Sequence, residues 1–136
     1  MTESANSGAY SRAEYEVNGA IARIGRRSRA MDAVLAGLGA RRGVIVTAWN
    51  PMSRRLAPRL NAHRAARLRA MVPGPVGEGL GTGPGRRPAW QRDWVEAHLL
   101  IPGPPRRAMT LAARFRQAAV VVVVRGQPAR LVTVTR

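Results

Sequence analysis

The sequence predicts an α/β (α+β) single domain: a mixed β-sheet of about five strands with three helices, in the order βαβαβαββ. Three observations predict it. Short β-branched runs, Val44–Ala48 and Ala119–Val124 foremost, are apolar without interruption, as in strands covered on both faces. Stretches with helix-start residues and helical spacing lie between such runs. The length, 136 residues with 46% hydrophobic side chains, suits one packed core rather than a disordered chain.

Residues 1–12 are small, polar and unpatterned, and are expected to form a flexible tail before a domain spanning 13–136. Tyr15 to Ile24 alternates unevenly around Asn18-Gly19, which predicts a first strand bent at the glycine. Ser28 is placed to cap a helix with Asp32 in its first turn. Met31, Val34, Leu35 and Leu38 form its apolar stripe, and Gly39 supplies the stop. Val44–Ala48 is the next strand, ended by Trp49-Asn50-Pro51. Pro58 opens a second helix that runs to about Met71. Glycines and prolines over 72–88 predict a long loop. Trp90 and Trp94 precede a strand over Glu96–Ile101. Pro105 begins a third helix through about Arg116, and two strands, Ala119–Val124 and Arg130–Thr135, close the chain.

Composition removes several chemistries. Without cysteine there is no disulfide, thiolate metal site or cysteine nucleophile. Without lysine there is no Walker A loop and no lysine Schiff base. Gly77 to Gly85 is rich in glycine but lacks the spacing of a dinucleotide-binding loop. His63 and His98 show no metal-ligand spacing, and Asp93, Glu96 and His98 alone do not make a metal signature. No metal and no cofactor is expected. No signal peptide or membrane span is visible, and the expected location is the cytoplasm. The net charge is +16, carried entirely by arginine; a GC-rich genome favours arginine over lysine, yet a charge of that size attracts polyanions whatever its origin.

The segment Thr47–Ser53, TAWNPMS, carries the most chemistry. A buried strand ends there in a polar turn, the position where open α/β sheets collect ligands. Asn50 and Ser53 offer hydrogen-bonding groups, Trp49 a flat apolar wall, and Arg54 and Arg55 fixed positive charge. The same residues also suit a plain Asn-Pro turn that closes a strand.

The ordered set Ile24-Gly25, TAWNPMS, Asn61, Leu68, WVEAHLL (Trp94–Leu100) and RFRQAAVV (Arg114–Val121) resembles the bacterial domain-of-unknown-function family DUF3293, over about Tyr15 to Leu131. The resemblance places Asn50, Pro51, Ser53, Asn61, Glu96, Phe115 and Gln117 at motif positions. Val95, Ala97 and His98 depart from the family's proline-containing pattern around the glutamate. The family implies no established activity.

Three functional readings follow. In the first, a small anionic or nucleotide-like ligand meets Asn50, Ser53, Asn61, Glu96 and Gln117, with Arg54 or Arg114 on the anion. Glu96 is then the candidate general acid or base, although the sequence does not decide whether the protein is an enzyme. In the second, Arg54, Arg55, Arg59, Arg64 and Arg67 follow a nucleic-acid backbone without sequence readout. In the third, the polar motif residues tie loops to the core and the protein works through a protein partner. The sequence leaves the oligomeric state open.

Overall fold

The computed structural model describes residues 12–83 and 95–135. Strands β1 (Glu14–Val17) and β2 (Ala20–Ala22) form a hairpin. Helix α1 (Arg29–Gly37), strand β3 (Arg42–Thr47) and a 3-10 turn (Pro51–Ser53) follow, then helix α2 (Pro58–Ala70) and strands β4 (Gly77–Thr82) and β5 (Val95–Pro102). Helix α3 (Pro105–Arg114) and strands β6 (Ala119–Val124) and β7 (Arg130–Thr133) complete the described chain. The strands make one sheet in the order β2-β1-β4-β5-β3-β6-β7, and every ladder is antiparallel. Its two edges approach each other where Ile24 bridges Ala129, with Gly25 N–H donating to the Ala129 carbonyl at 2.8 Å. The result is a half-barrel closed at one corner.

Among the described residues, three helices on one sheet agree with the expected class. The expected mixed sheet of about five strands is corrected to seven antiparallel strands, for two local reasons. The stretch read as one bent strand is the hairpin β1–β2. Asn18 (φ 50°) and Gly19 (φ 86°) both take the left-handed conformation that a tight two-residue turn requires, and Asn-Gly is its preferred pair. The expected loop at 72–88 contains β4, which pairs with both β1 and β5. Of the expected tail over 1–12, residues 1–11 lie outside the described residues, as do Trp90, Asp93 and Trp94.

Strand β4 reads as loop because Gly77, Gly79 and Gly81 occupy alternate positions. Alternate positions share a face, and on this face β1 crosses close. A Cβ at Gly77 would stand 2.4 Å from Val17 Cγ1, and one at Gly79 would stand 1.8 Å from the Glu16 carbonyl oxygen. The glycines are therefore what let the sheet coil tightly enough to become a half-barrel. Asn18 N–H donates to the Glu78 carbonyl at 3.1 Å and holds the crossing.

The central strands divide their side chains between two cores. Val44, Val46, Leu99, Ile101, Val120 and Val122 face the convex side, under Leu68 of α2 and Ala108, Leu111, Ala112 of α3 together with Phe115. Ile45, Leu100, Val121 and Val123 face the concave side, with Tyr15, Val17 and the Met31 and Leu35 of α1. Burial on both faces explains the apolar runs Val44–Val46, Leu99–Ile101 and Val120–Val123 within β3, β5 and β6. Each fully buried Leu or Val contributes roughly 1.5–3 kcal/mol.

Local signals set the helix ends. Ser28 Oγ accepts from Met31 N–H at 3.1 Å at the start of α1. Gly39 (φ 69°) ends it, with Gly39 N–H reaching the Ala36 carbonyl and Ala40 N–H the Leu35 carbonyl. The same paired bonds end α3: Arg116 N–H donates to Ala113 and Gln117 N–H to Ala112. The left-handed residue there is Arg116 (φ 57°) rather than glycine, which stops the helix at Arg114, two residues before the expected Arg116. Among the described residues no helix is long and apolar enough to cross a membrane.

Two substitutions of opposite sign test the role of the β4 glycines. Gly79→Ala is expected to destabilise the fold by at least about 2 kcal/mol in urea denaturation, because the Glu16 carbonyl belongs to backbone and cannot step aside cheaply. Gly37→Ala, in the last turn of α1 with nothing within 4 Å, is expected to stabilise by about 0.5–1 kcal/mol. Equal effects at the two positions would show that the close crossing of β1 over β4 does not shape the sheet.

Candidate functional site

Strand β3 ends at Thr47, whose Oγ1 donates to the Ala97 carbonyl at 2.7 Å and accepts from Trp49 N–H at 3.0 Å. These bonds turn the chain out of the sheet. Asn50 follows in the left-handed conformation (φ 46°, ψ 65°) and Met52 (φ 52°) repeats it two residues later. Two such residues cost roughly 1–3 kcal/mol each where they are not glycine, so the turn must be held from outside.

Asn50 and Asn61 do the holding. Asn50 N–H donates to Asn61 Oδ1 at 2.9 Å, and Asn61 Nδ2 donates to Asn50 Oδ1 at 2.8 Å. Asn50 Oδ1 also accepts from Leu56 N–H at 2.9 Å, while Asn61 Nδ2 reaches the Leu56 carbonyl at 3.3 Å. The remaining donor, Asn50 Nδ2, goes to Glu96 Oε2 at 2.8 Å. The expected site residues Asn50, Asn61 and Glu96 thus come together, but the two amides spend their bonding capacity on one another, on Leu56 and on Glu96.

Gln117 lies on the same end of the sheet. Its Nε2 donates to the Trp49 carbonyl at 3.0 Å and the Phe115 carbonyl at 3.2 Å. Gln117 and Glu96, each about 5% exposed, line a cavity of about 30 Å³ on the concave face with Tyr15, Thr47 and His98. That space holds a water or two, not a metabolite. Trp49 Nε1 is buried and finds no acceptor among the described residues.

His98 lies in the strand expected over Glu96–Ile101, without metal-ligand spacing. It is buried, and its Nε2 lies 2.6 Å from the Glu16 carbonyl oxygen, a reach made possible because its neighbour in register is Gly79. Burial pushes its pKa down to about 4, against smaller opposing effects from the Glu16 carbonyl and carboxylate. The imidazole is therefore neutral at pH 7, with Nε2–H donating to Glu16.

The arginines behave less uniformly than the sequence suggested. Arg54 is exposed at the end of the 3-10 turn, and Arg114 is exposed in the last turn of α3, where a cation complements the helix dipole. Among the described residues neither bonds to the Asn50 cluster. The Ser53 side chain lies outside the described part of the structure. Arg64, expected to face a nucleic-acid backbone, instead turns inward. Its Nε donates to the Ala48 carbonyl at 2.7 Å and its Nη2 to the Phe115 carbonyl. These are carbonyls left over at a strand end and a helix end, and a guanidinium fork satisfies both. Helix α2 buries only Asn61 and Leu68, so it needs such anchoring.

Arg64 does not stand alone. Its guanidinium carbon lies 5.5 Å from the Phe115 ring centroid, and that of Arg67 lies 5.7 Å away. Arg116 is next to Phe115, and its carbonyl accepts from Met52 N–H at 2.7 Å. Burial, then the charges of Arg67 and Arg116, lowers the Arg64 pKa from its usual value. The exposed Arg67 and Arg116 therefore crowd the inward-turned Arg64 at the strand end. Sequence reasoning missed this grouping because Arg116 lies 49 positions beyond Arg67 and carries no motif.

A larger groove, about 310 Å³, runs between α2 and strands β4 and β5, lined mainly by Ala48, Ala65, Ala97 and Leu99 with Arg69 and Glu78. Alanine linings give no sequence signal. Among the described residues no three His, Asp or Glu side chains gather as metal ligands.

The family model described as "Protein of unknown function (DUF3293)" matches residues 46–120, from the end of β3 into β6. This is narrower than Tyr15–Leu131, and it leaves β1, β2 and α1 outside while including Asn50, Asn61, Glu96 and Gln117. No curated protein and no solved structure matches the chain.

Asn50→Ala is expected to lower stability by about 2–4 kcal/mol, because Leu56 N–H, Asn61 and Glu96 all lose a partner. A double-mutant cycle with Asn61→Ala should give a coupling above about 0.5 kcal/mol; additive losses would contradict the reciprocal pair. The His98 pKa yields a second expectation. Between about pH 4 and 6.5 the unfolded chain binds a proton that the folded chain refuses. Stability is then fully present above pH 6.5 and falls by about 3 kcal/mol as the pH drops to 4. His98→Gln, which keeps an N–H donor, should remove that component from the pH profile of chemical denaturation.

Proposed function

For this chain, which belongs to the DUF3293 family of proteins of unknown function, we propose a role in binding polyanions, nucleic acid foremost, through arginines at the strand end that carries Asn50. The observation that carries the proposal is the pair Arg64 and Arg67 over the Phe115 ring, with the exposed Arg116 next in the chain and its charge acting on Arg64. Among the described residues the ion pairs are Arg23–Glu14 and Arg27–Asp32, and neither involves this group. Like charges held together on rigid elements repel one another, and a phosphate between them relieves that repulsion.

In this reading the Asn50–Asn61 pair is a positioning device. It fixes α2 against the strand end, and Arg64 locks the same junction through the Ala48 and Phe115 carbonyls. Arg54, Arg59, Arg67, Arg114 and Arg116, on the elements that meet at or lead away from that junction, are exposed. The strained backbone supports the same conclusion. Glycine is the usual residue at the position of Arg116, and an arginine there costs about 1 kcal/mol or more of stability.

The small-ligand reading at Asn50 has less to stand on. Its amides are occupied, and the adjoining cavity is of water size. The same geometry weakens a catalytic role for Glu96, since a general acid or base needs a substrate atom within hydrogen-bond reach.

Random-sequence duplex binding, followed by anisotropy across a salt series, tests the proposal. Affinity should fall steeply with salt, and Arg67→Ala should reduce the slope of log K against log salt by about 1. Arg116→Gly should weaken binding while raising stability by about 1 kcal/mol. Absence of binding at low salt, or a slope untouched by both substitutions, would overturn the proposal.

A further inference from the structure

We propose that the half-barrel carries a second basic face at its opposite end, so that one chain joins two nucleic-acid duplexes. This rests on the polyanion reading and extends it from a single contact to bridging.

The second face is assembled by strand register. Arg42 opens β3 and pairs with Val124 at the end of β6. Arg125 N–H donates to the Arg41 carbonyl at 2.9 Å, and Ala129 N–H donates to the Arg26 carbonyl at 3.1 Å. Four sequence-distant arginines, Arg26, Arg41, Arg42 and Arg125, are thereby brought to one end of the sheet, and all four are exposed. The carboxylate bonded into this end is Asp32. Its Oδ2 accepts from Arg27 at 3.2 Å and its Oδ1 from Gly126 N–H at 3.0 Å, so it is already occupied by a fifth arginine and a turn. Three of the other described carboxylates, Glu14, Glu16 and Glu78, sit on β1 and β4.

Strand β3 measures the separation. It runs from Arg42, in the second face, to Thr47, beside the Ala48 carbonyl that Arg64 holds. Six residues at about 3.3 Å each put the faces roughly 20 Å apart. That is about twice the distance over which charges interact through physiological salt, so each face attracts its own polyanion. Strand β3 is covered on both sides, which keeps the two faces rigidly opposed. A duplex suits these faces better than a single strand. The exposed large apolar side chains among the described residues are Ile21, Met52, Leu60 and Leu80, none of them an aromatic platform for unstacked bases.

A capture experiment with the full chain tests bridging. A duplex fixed to beads is loaded with protein, washed, and offered a second, fluorescent duplex, while anisotropy follows binding of a single duplex in parallel. The wild-type chain should capture the second duplex. The triple variant Arg41→Gln, Arg42→Gln, Arg125→Gln should still bind one duplex by anisotropy, with capture reduced to background. Capture by that variant at the wild-type level would overturn the proposal, and so would a wild-type chain that coats the bead duplex and captures nothing, because one duplex then covers both faces. Failure of the wild-type chain to bind any duplex would instead overturn the polyanion reading together with bridging. Circular dichroism of the triple variant, expected to match the wild type, separates lost charge from lost fold.

Discussion

The junction where α2 meets the end of β3 depends on polar bonds rather than on apolar burial. A helix that buries one leucine and one asparagine has little hydrophobic reason to stay on a sheet. What keeps it there is the Arg64 fork on the Ala48 and Phe115 carbonyls and the reciprocal Asn50–Asn61 bonds. Both arrangements satisfy main-chain groups that a strand end and a helix end leave over. Each such group, if buried without a partner, costs about 1–3 kcal/mol. The same junction also fixes where Arg67 and Arg116 lie, so the stability of the turn and the placement of charge have one origin.

The left-handed residues acquire their meaning from that junction. Asn18 sits in a hairpin turn that favours asparagine, and its conformation needs no further cause. Asn50 is held by four hydrogen bonds involving its own backbone and side chain. Met52 and Arg116 are joined by one bond between their backbones. Strain is thus concentrated where the strand-end turn touches the end of α3, on the surface that carries Arg67 and Arg116. On the opposite side of the sheet the interior is quiet: His98 is neutral, and the cavity beside Glu96 is of water size.

Much of the fold could be read from local pattern. The β-branched runs, the Ser28 cap, the proline helix starts and the Gly39 stop each depend on a residue and its near neighbours, and each stands where expected. The two missed strands have different causes. In the hairpin, three-residue β2 is too short to show a period. In β4, glycine at every second position erases the hydrophobic alternation, because the inner face there must accept the backbone of β1. The residues of the Asn50 site were legible as a set, since chain order and residue type pointed to Asn50, Asn61, Glu96 and Gln117. Their bonding was not. An asparagine that recognises a ligand and one that braces a turn look identical in sequence.

By itself the sequence determined the class of fold, the helix limits at their capped ends, the excess of arginine and the chemistries that cysteine and lysine would have supplied. Those properties follow from composition and from interactions spanning a few residues. Only the tertiary structure decided that Arg64 faces inward while Arg67 and Arg116 face out, that Arg41 meets Arg125, and that the asparagines satisfy each other. Each of those outcomes depends on contacts between residues dozens of positions apart, set by strand register and by the coil of the sheet. Register responds to the packing of a whole face at once, and no local stretch of chain contains that information.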